Sequence, residues 1–118
     1  MRAEGSHWEQ VALDYLSRQG LELLTKNYQC RFGEIDLIMR DLDTLSFVEV
    51  RYRRGADFGS GADSVGWHKQ RRISAAASHF LQRHPVWSEH PCRFDVVSIS
   101  GRRHPDIDWI KDAFESVF

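Results

Sequence analysis

Two short segments constrain this chain more than any other feature. They are 33–38, Gly-Glu-Ile-Asp-Leu-Ile, and 47–51, Phe-Val-Glu-Val-Arg. Each alternates apolar and polar residues, the period of a half-buried strand. Asp41-Leu42-Asp43-Thr44 between them reads as a short polar turn, so the two segments form a hairpin. With a symmetric turn, Asp36 faces Glu49 and Glu34 faces Arg51. Directly opposed residues have Cβ atoms about 5 Å apart, and like charges there are destabilising. At an effective dielectric near 20, two carboxylate charges about 5 Å apart repel by roughly 3 kcal/mol. A divalent cation, a shared proton or a nearby cation offsets that repulsion. The hairpin therefore predicts a Mg²⁺ or Mn²⁺ site at Asp36 and Glu49. The prediction depends on register, because a slip of one residue sends one carboxylate to the other face.

Composition bounds the rest. A chain of 118 residues, 42% apolar and 28% charged, is expected to be one domain spanning 1–118 with a single core. No apolar run approaches the length needed to cross a bilayer, and no hydrophobic stretch follows Arg2 as a signal peptide requires. A cytoplasmic protein without a membrane partner is the expectation. Cys30 and Cys92 are isolated and read as reduced structural thiols, and the six histidines show no zinc-ligand spacing.

The net charge of −1 argues against a protein that coats nucleic acid nonspecifically, but the charge is unevenly distributed. Residues 1–50 carry 5 basic and 9 acidic side chains, a net of −4. Residues 51–72 carry Arg51, Arg53, Arg54, Lys69, Arg71 and Arg72 against Asp57 and Asp63, a net of +4. A basic block directly after the acidic hairpin suits a phosphodiester substrate. A solvated, salt-bridged surface is the competing reading, at even weight.

Around the hairpin, Ser6-x-x-Glu9 has capping-box spacing and Trp8, Val11, Ala12, Tyr15 and Leu16 recur at helical spacing up to a stop at Gly20. Leu21–Asn27 reads as a first strand and 28–33 as a turn. Residues 53–63, with Gly55, Gly59 and Gly61, read as a long loop. A helix capped by Asp63 or Ser64 runs to His84 before Pro85, its apolar face formed by Ile73, Ala76, Ala77, Phe80 and Leu81. Strands at 93–98 and 106–110 and a short helix over 111–118 complete the order αβββαββ(α). That order predicts an α/β fold with a mixed central sheet flanked by helices.

Asp36, a gap of 12 residues and then Glu49-Val50-Arg51 resembles the PD-(D/E)xK nuclease motif on a restriction-endonuclease-like core. Within that superfamily the chain resembles the YraN (UPF0102) family of small bacterial proteins. The resembling stretches are Asn27-Tyr28-x-x-Arg31-x-Gly33-Glu34-Ile35-Asp36-Leu37-Ile38, Phe47-Val48-Glu49-Val50-Arg51-x-Arg53, Phe58-Gly59, Lys69-Gln70-x-x-Ile73 and Arg93-Phe94-Asp95-Val96-Val97. The resemblance implies a fold akin to archaeal Holliday-junction resolvases. It implies a metal-dependent DNA nuclease with Asp36 and Glu49 as metal-binding acids, the Val50 carbonyl as a further ligand and Glu9 completing the acidic cluster. Glu9 has an equally weighted structural role, as the third residue of the capping box. Lys69 and Gln70 match a helix position that supplies a polar group to the site in some relatives, with solvent exposure as the rival reading. Branched substrates would require two active sites, hence a homodimer.

Where the motif has lysine this chain has Arg51, which stays protonated and cannot act as a base. It can still orient a phosphate bidentately or neutralise transition-state charge. Arg53, Arg54, Lys69, Gln70, Arg71 and Arg72 are the expected phosphate-backbone contacts. The substitution keeps open a nucleic-acid-binding module without hydrolysis. A protein-interaction scaffold whose acids merely decorate a hairpin is the third reading. Trp67 and Tyr52 flank the basic block and either stack on unpaired bases or pack on the core.

Overall fold

In a computed structural model, the chain is described over residues 3–53, 65–101 and 103–117, with side chains from residue 6 onward. Arg54, the Phe58-Gly59 pair, nearly all of the glycine-rich loop and the Asp63/Ser64 cap lie outside the described residues. The element order is α1 (Ala3–Arg18), β1 (Glu22–Cys30), β2 (Gly33–Asp41), β3 (Thr44–Arg53), α2 (Trp67–Arg83), β4 (Cys92–Ser100) and β5 (Asp106–Phe114). The strands form one mixed sheet in sequence order, antiparallel except for the parallel pair β3–β4 that α2 connects.

Two helices cover opposite faces of this sheet, each over its own apolar layer. Alternation along β3 divides the residues: Leu45 and Phe47 pack beneath α2, Val48 beneath α1. The α2 layer joins Ile73, Ala76, Ala77 and Phe80 to Ile35, Ile38, Phe94 and Val96. The α1 layer joins Trp8, Ala12 and Leu16 to Leu37, Met39, Val97 and Ile99. Fully buried Ala76 and nearly buried Ala77 let α2 lie close to the strands, which matters for the length of side chain needed to reach the site. No helix among the described residues is long and apolar enough to cross a membrane.

This is the expected α/β arrangement, and its strand order is compatible with a restriction-endonuclease-like core. The expected order of elements holds up to the last one. The 111–118 helix does not form, because β5 continues to Phe114. A bulge at positive-φ Asp112 carries the strand on: its N–H donates to Asp95 Oδ1 at 2.9 Å, and Phe114 stacks on Phe94. The first strand is also longer than its periodicity indicates. Tyr28, Gln29 and Cys30 pair with Ile35, Glu34 and Gly33, leaving a turn of Arg31 and Phe32. An edge strand pairs through its backbone, so its side chains need not alternate cleanly.

Helix ends differ as well. α1 begins at Ala3, which puts Ser6 inside the helix and dissolves the Ser6–Glu9 capping box. Its C-terminus closes on left-handed Gly20 (φ 99°), with Gly20 N–H donating to Ser17 O and Leu21 N–H to Leu16 O. α2 starts at Trp67, after N-cap Gly66, and ends one residue before His84.

Candidate metal centre

The site is built where two strands part. β2 and β3 pair in the expected register from Asp41–Thr44 to Leu37–Val48 and no further. Beyond that point β3 stays with β4, Glu49 beside Val96 and on to Arg53 beside Ser100. The next rung would set Asp36 against Glu49. Instead, Asp36 Oδ2 accepts the Val50 N–H at 2.8 Å. A side chain has taken the place of a ladder carbonyl, so the strands splay and a cleft opens between them. The second expected pairing, Glu34 with Arg51, lies past the end of the ladder; Glu34 accepts a bond from Gln29 across β1–β2 instead.

The cleft has a volume of about 360 Å³ and is lined by Asp36 and Glu49, Gly33 and Glu34 of the β1–β2 hairpin, and Lys69 and Arg72 of α2. Gly33 sits close against α2 there: a Cβ added to it would meet the Arg72 carbonyl oxygen at 3.1 Å, tight enough that the helix would have to give by a few tenths of an ångström. Asp36 and Glu49 are 8% and 5% exposed, which makes them buried acids at the base of an open cleft. Lys69 Nζ stands 2.6 Å from Glu49 Oε2.

Burial pushes the Asp36 carboxyl up to about 7, and the neighbouring Glu49 charge adds to the rise. The Val50 N–H and the Lys69 ammonium oppose it. The two acids therefore cannot both ionise cheaply unless a positive charge joins them. A hard divalent ion fits this donor set, because Mg²⁺ binds through one or two carboxylates and keeps its remaining positions for water and phosphate. No group of three or more His, Cys, Asp or Glu side chains comes together among the described residues.

The other candidate residues divide around this centre. Glu9 is 7% exposed on α1 and lines a separate small cavity with Lys26, Asn27 and Leu37. Arg51 is half-buried on β3, and it is not among the described residues that line the cleft. Arg53 ends β3, where its carbonyl accepts the Gly101 N–H. Gln70 commits its amide to the Val65 carbonyl at 2.8 Å, tying down the start of α2. Arg71 lies over the Trp67 ring, 5.5 Å from its centroid, and Arg72 reaches the cleft. Tyr52 stacks on Trp8 in the α1 layer at 4.0 Å, while Trp67 remains 54% exposed. The resemblance set Lys69 at a helix position that supplies a polar group to the site and the charge pattern set it among the phosphate contacts, but neither named Glu49 as its partner. The signal available was its spacing from Ile73: four residues apart on a helix whose apolar face packs on the acidic hairpin.

Residues 8–99 match the family model described as Uncharacterised protein family UPF0102. The chain belongs to UPF0102. A UPF0102 protein of Pseudomonas putida strain GB-1 is 52% identical over 113 residues, covering 94% of this chain and 92% of that protein. A UPF0102 protein of Nitrosococcus oceani is 51% identical over 114 residues, covering 96% of this chain and 92% of its own. Another, from Stutzerimonas stutzeri, is 49% identical over 116 residues, covering 98% and 97%. The UPF0102 match runs from within α1 to nearly the end of β4, so both acids, Lys69 and Arg72 fall inside it.

Proposed function

We propose that this chain is a metal-dependent DNA nuclease domain in which Asp36 and Glu49 hold Mg²⁺ or Mn²⁺ and Lys69 is the cation beside them. The observation that carries the reading is the buried pair of acids at an open cleft, with the Lys69 ammonium seated on Glu49. Once bound, the ion would polarise a phosphodiester and lower the pKa of water. The residues themselves have separate tasks. Ionised Asp36 and Glu49 supply the oxygen donors, and the Val50 N–H fixes the orientation of Asp36. Lys69 neutralises charge that builds on the phosphate as water adds to phosphorus and the bridging P–O bond breaks. Arg72 holds the substrate backbone at the cleft wall, with Arg71, Arg53 and Arg54 as further phosphate contacts. Cleavage of branched DNA would bring two such sites together in a homodimer.

A second reading is binding without hydrolysis. The 2.6 Å Lys69–Glu49 pair favours it, since an ammonium already offsets much of the acidic charge. One experiment separates the two. Purified protein is incubated with branched, single-stranded and duplex DNA in Mg²⁺ or Mn²⁺, beside Glu49→Ala, Lys69→Met and Arg51→Lys. The nuclease reading expects divalent-dependent cleavage that Glu49→Ala and Lys69→Met abolish. Cleavage that survives Glu49→Ala refutes this site. DNA binding that weakens steeply with salt, without cleavage, leaves the second reading standing. A gain of cleavage in Arg51→Lys would locate the working cation on β3 instead of α2.

A further inference from the structure

A second cavity lies further along α2, and the metal-centre reading does not use it. It has a volume of about 240 Å³ and is lined by Phe32 at the β1–β2 turn and by Ala75, Ser78, His79 and Gln82 of α2. Pockets for drug-sized ligands run from roughly 300 Å³ upward, so this smaller space suits one planar heterocycle. Its aromatic wall is unusual for an exposed turn. Phe32 is 44% exposed, with the Arg31 guanidinium 4.9 Å from its ring centroid and the His79 ring edge-on at 6.1 Å. An exposed aromatic ring carrying a cation is what a nucleobase stacks on.

One polar group of the cavity, His79, is held in place. The Tyr28 phenol bonds His79 Nδ1 at 2.5 Å, and Tyr28 itself is wedged edge-on against Phe80 in the core. The phenol engages Nδ1, so Nε2 is the ring nitrogen left to meet a ligand. Ser78 and Gln82 add a hydroxyl and an amide, both able to donate and accept. Stacking surface plus edge-reading polar groups is the chemistry of single-stranded base recognition.

Position links this cavity to the cleft. Phe32 and Gly33 are consecutive, and Arg72 precedes Ala75 by three residues, ~4.5 Å along the helix. From Lys69 to Ser78 α2 advances ~14 Å, a span that a few nucleotides cover. Arg72 lines the cleft one turn of α2 before Ala75, the first α2 residue of the second cavity.

We propose that the Phe32–α2 cavity receives an unpaired nucleobase of the strand whose backbone lies at the Asp36–Glu49 cleft. The preferred substrate class is then DNA with a single-stranded or distorted segment beside the bound phosphate. This rests on the nucleic-acid reading above, so the test separates the two. Fluorescence anisotropy is measured in EDTA, to prevent cleavage, with labelled oligothymidine and with a blunt duplex of equal length. Phe32→Ala, Ser78→Phe (which fills the cavity) and Arg72→Ala are compared with the parent, with far-UV circular dichroism to confirm folding.

Both cavity variants are expected to weaken oligothymidine binding about tenfold and to leave duplex binding unchanged. Arg72→Ala should weaken both. A strand of abasic residues should bind the parent as weakly as intact oligothymidine binds Phe32→Ala. If Arg72→Ala weakens both DNAs while Phe32→Ala binds oligothymidine like the parent, the base pocket is refuted and the nucleic-acid reading survives. Equal loss for both DNAs in the cavity variants refutes it too. If the parent binds neither DNA, the nucleic-acid reading fails and takes the pocket with it.

Discussion

Asp36 carries the energetic tension of the site. Its carboxyl titrates near 7 in the folded chain against an ordinary 3.8, chiefly because it is buried. Folding therefore favours the protonated form. Its contribution to stability is fully present below about pH 4 and is lost as pH rises through 7. Asp36→Asn keeps a carbonyl for the Val50 N–H and removes the charge. We expect it to leave unfolding free energy nearly unchanged below about pH 4. At pH 8 it should raise it by on the order of 4 kcal/mol, measured by urea denaturation. An equal effect at both pH values would contradict a buried, ionising Asp36. Lys69→Met makes the opposite point, because the ammonium is one of the groups holding Asp36 down. In that variant the Asp36 midpoint, followed by NMR titration, should move further above 7. The stability cost should stay within about 1 kcal/mol, since Lys69 is 42% exposed and its ion pair is partly screened.

Asp95 shows how one buried side chain decides the length of an element. It is fully buried and accepts from Ser46 Oγ, Arg93 Nε, Trp109 Nε1 and the Asp112 N–H. Arg93 continues the network to Asp41 at 2.9 Å, so the β2–β3 turn, β4 and the β5 bulge share one polar junction. The i, i+2 spacing of Arg93 and Asp95 puts both on one face of a strand, and that much can be read from the sequence. That Asp112 and Trp109 would also converge there cannot be, because Lys111-Asp112-Ala113-Phe114 has no pattern that separates strand from helix. Asp95→Ala leaves the Ser46, Trp109 and Asp112 donors without their acceptor and takes from the partly buried Arg93 one of its two carboxylate partners. It should cost about 3 kcal/mol or more in chemical denaturation. Hydrogen exchange should then accelerate first in β5. A loss spread evenly over the sheet would argue against the junction as its anchor.

For the molecule as a whole, the metal reading predicts coupling between ion, proton and fold. Mn²⁺ should raise the melting temperature of the intact chain, and more at pH 8 than at pH 5, because ligation needs both carboxylates ionised. The same shift should vanish in Glu49→Ala. Ca²⁺ or Mn²⁺ stabilising the parent and Glu49→Ala equally would move the ion away from this site.

The hairpin register was readable over residues 37–48 because a period of two and a short polar turn leave little freedom. So was the apolar face of α2, which repeats at helical spacing. The splaying of β2 from β3 was not, since it depends on the Asp36 carboxylate outcompeting a backbone carbonyl for the Val50 N–H. Nor was the seat of Lys69, which lies 20 residues from Glu49 in sequence and meets it only because Ala76 and Ala77 bring α2 close to the strands. Local periodicity and residue chemistry, properties of neighbours along the chain, determined the strands, the helices and the pair of acids. Packing between distant elements decided which cation faces those acids, where Glu9 comes to rest and where the last strand ends, because each is settled by side chains that meet only after the two helices close on the sheet.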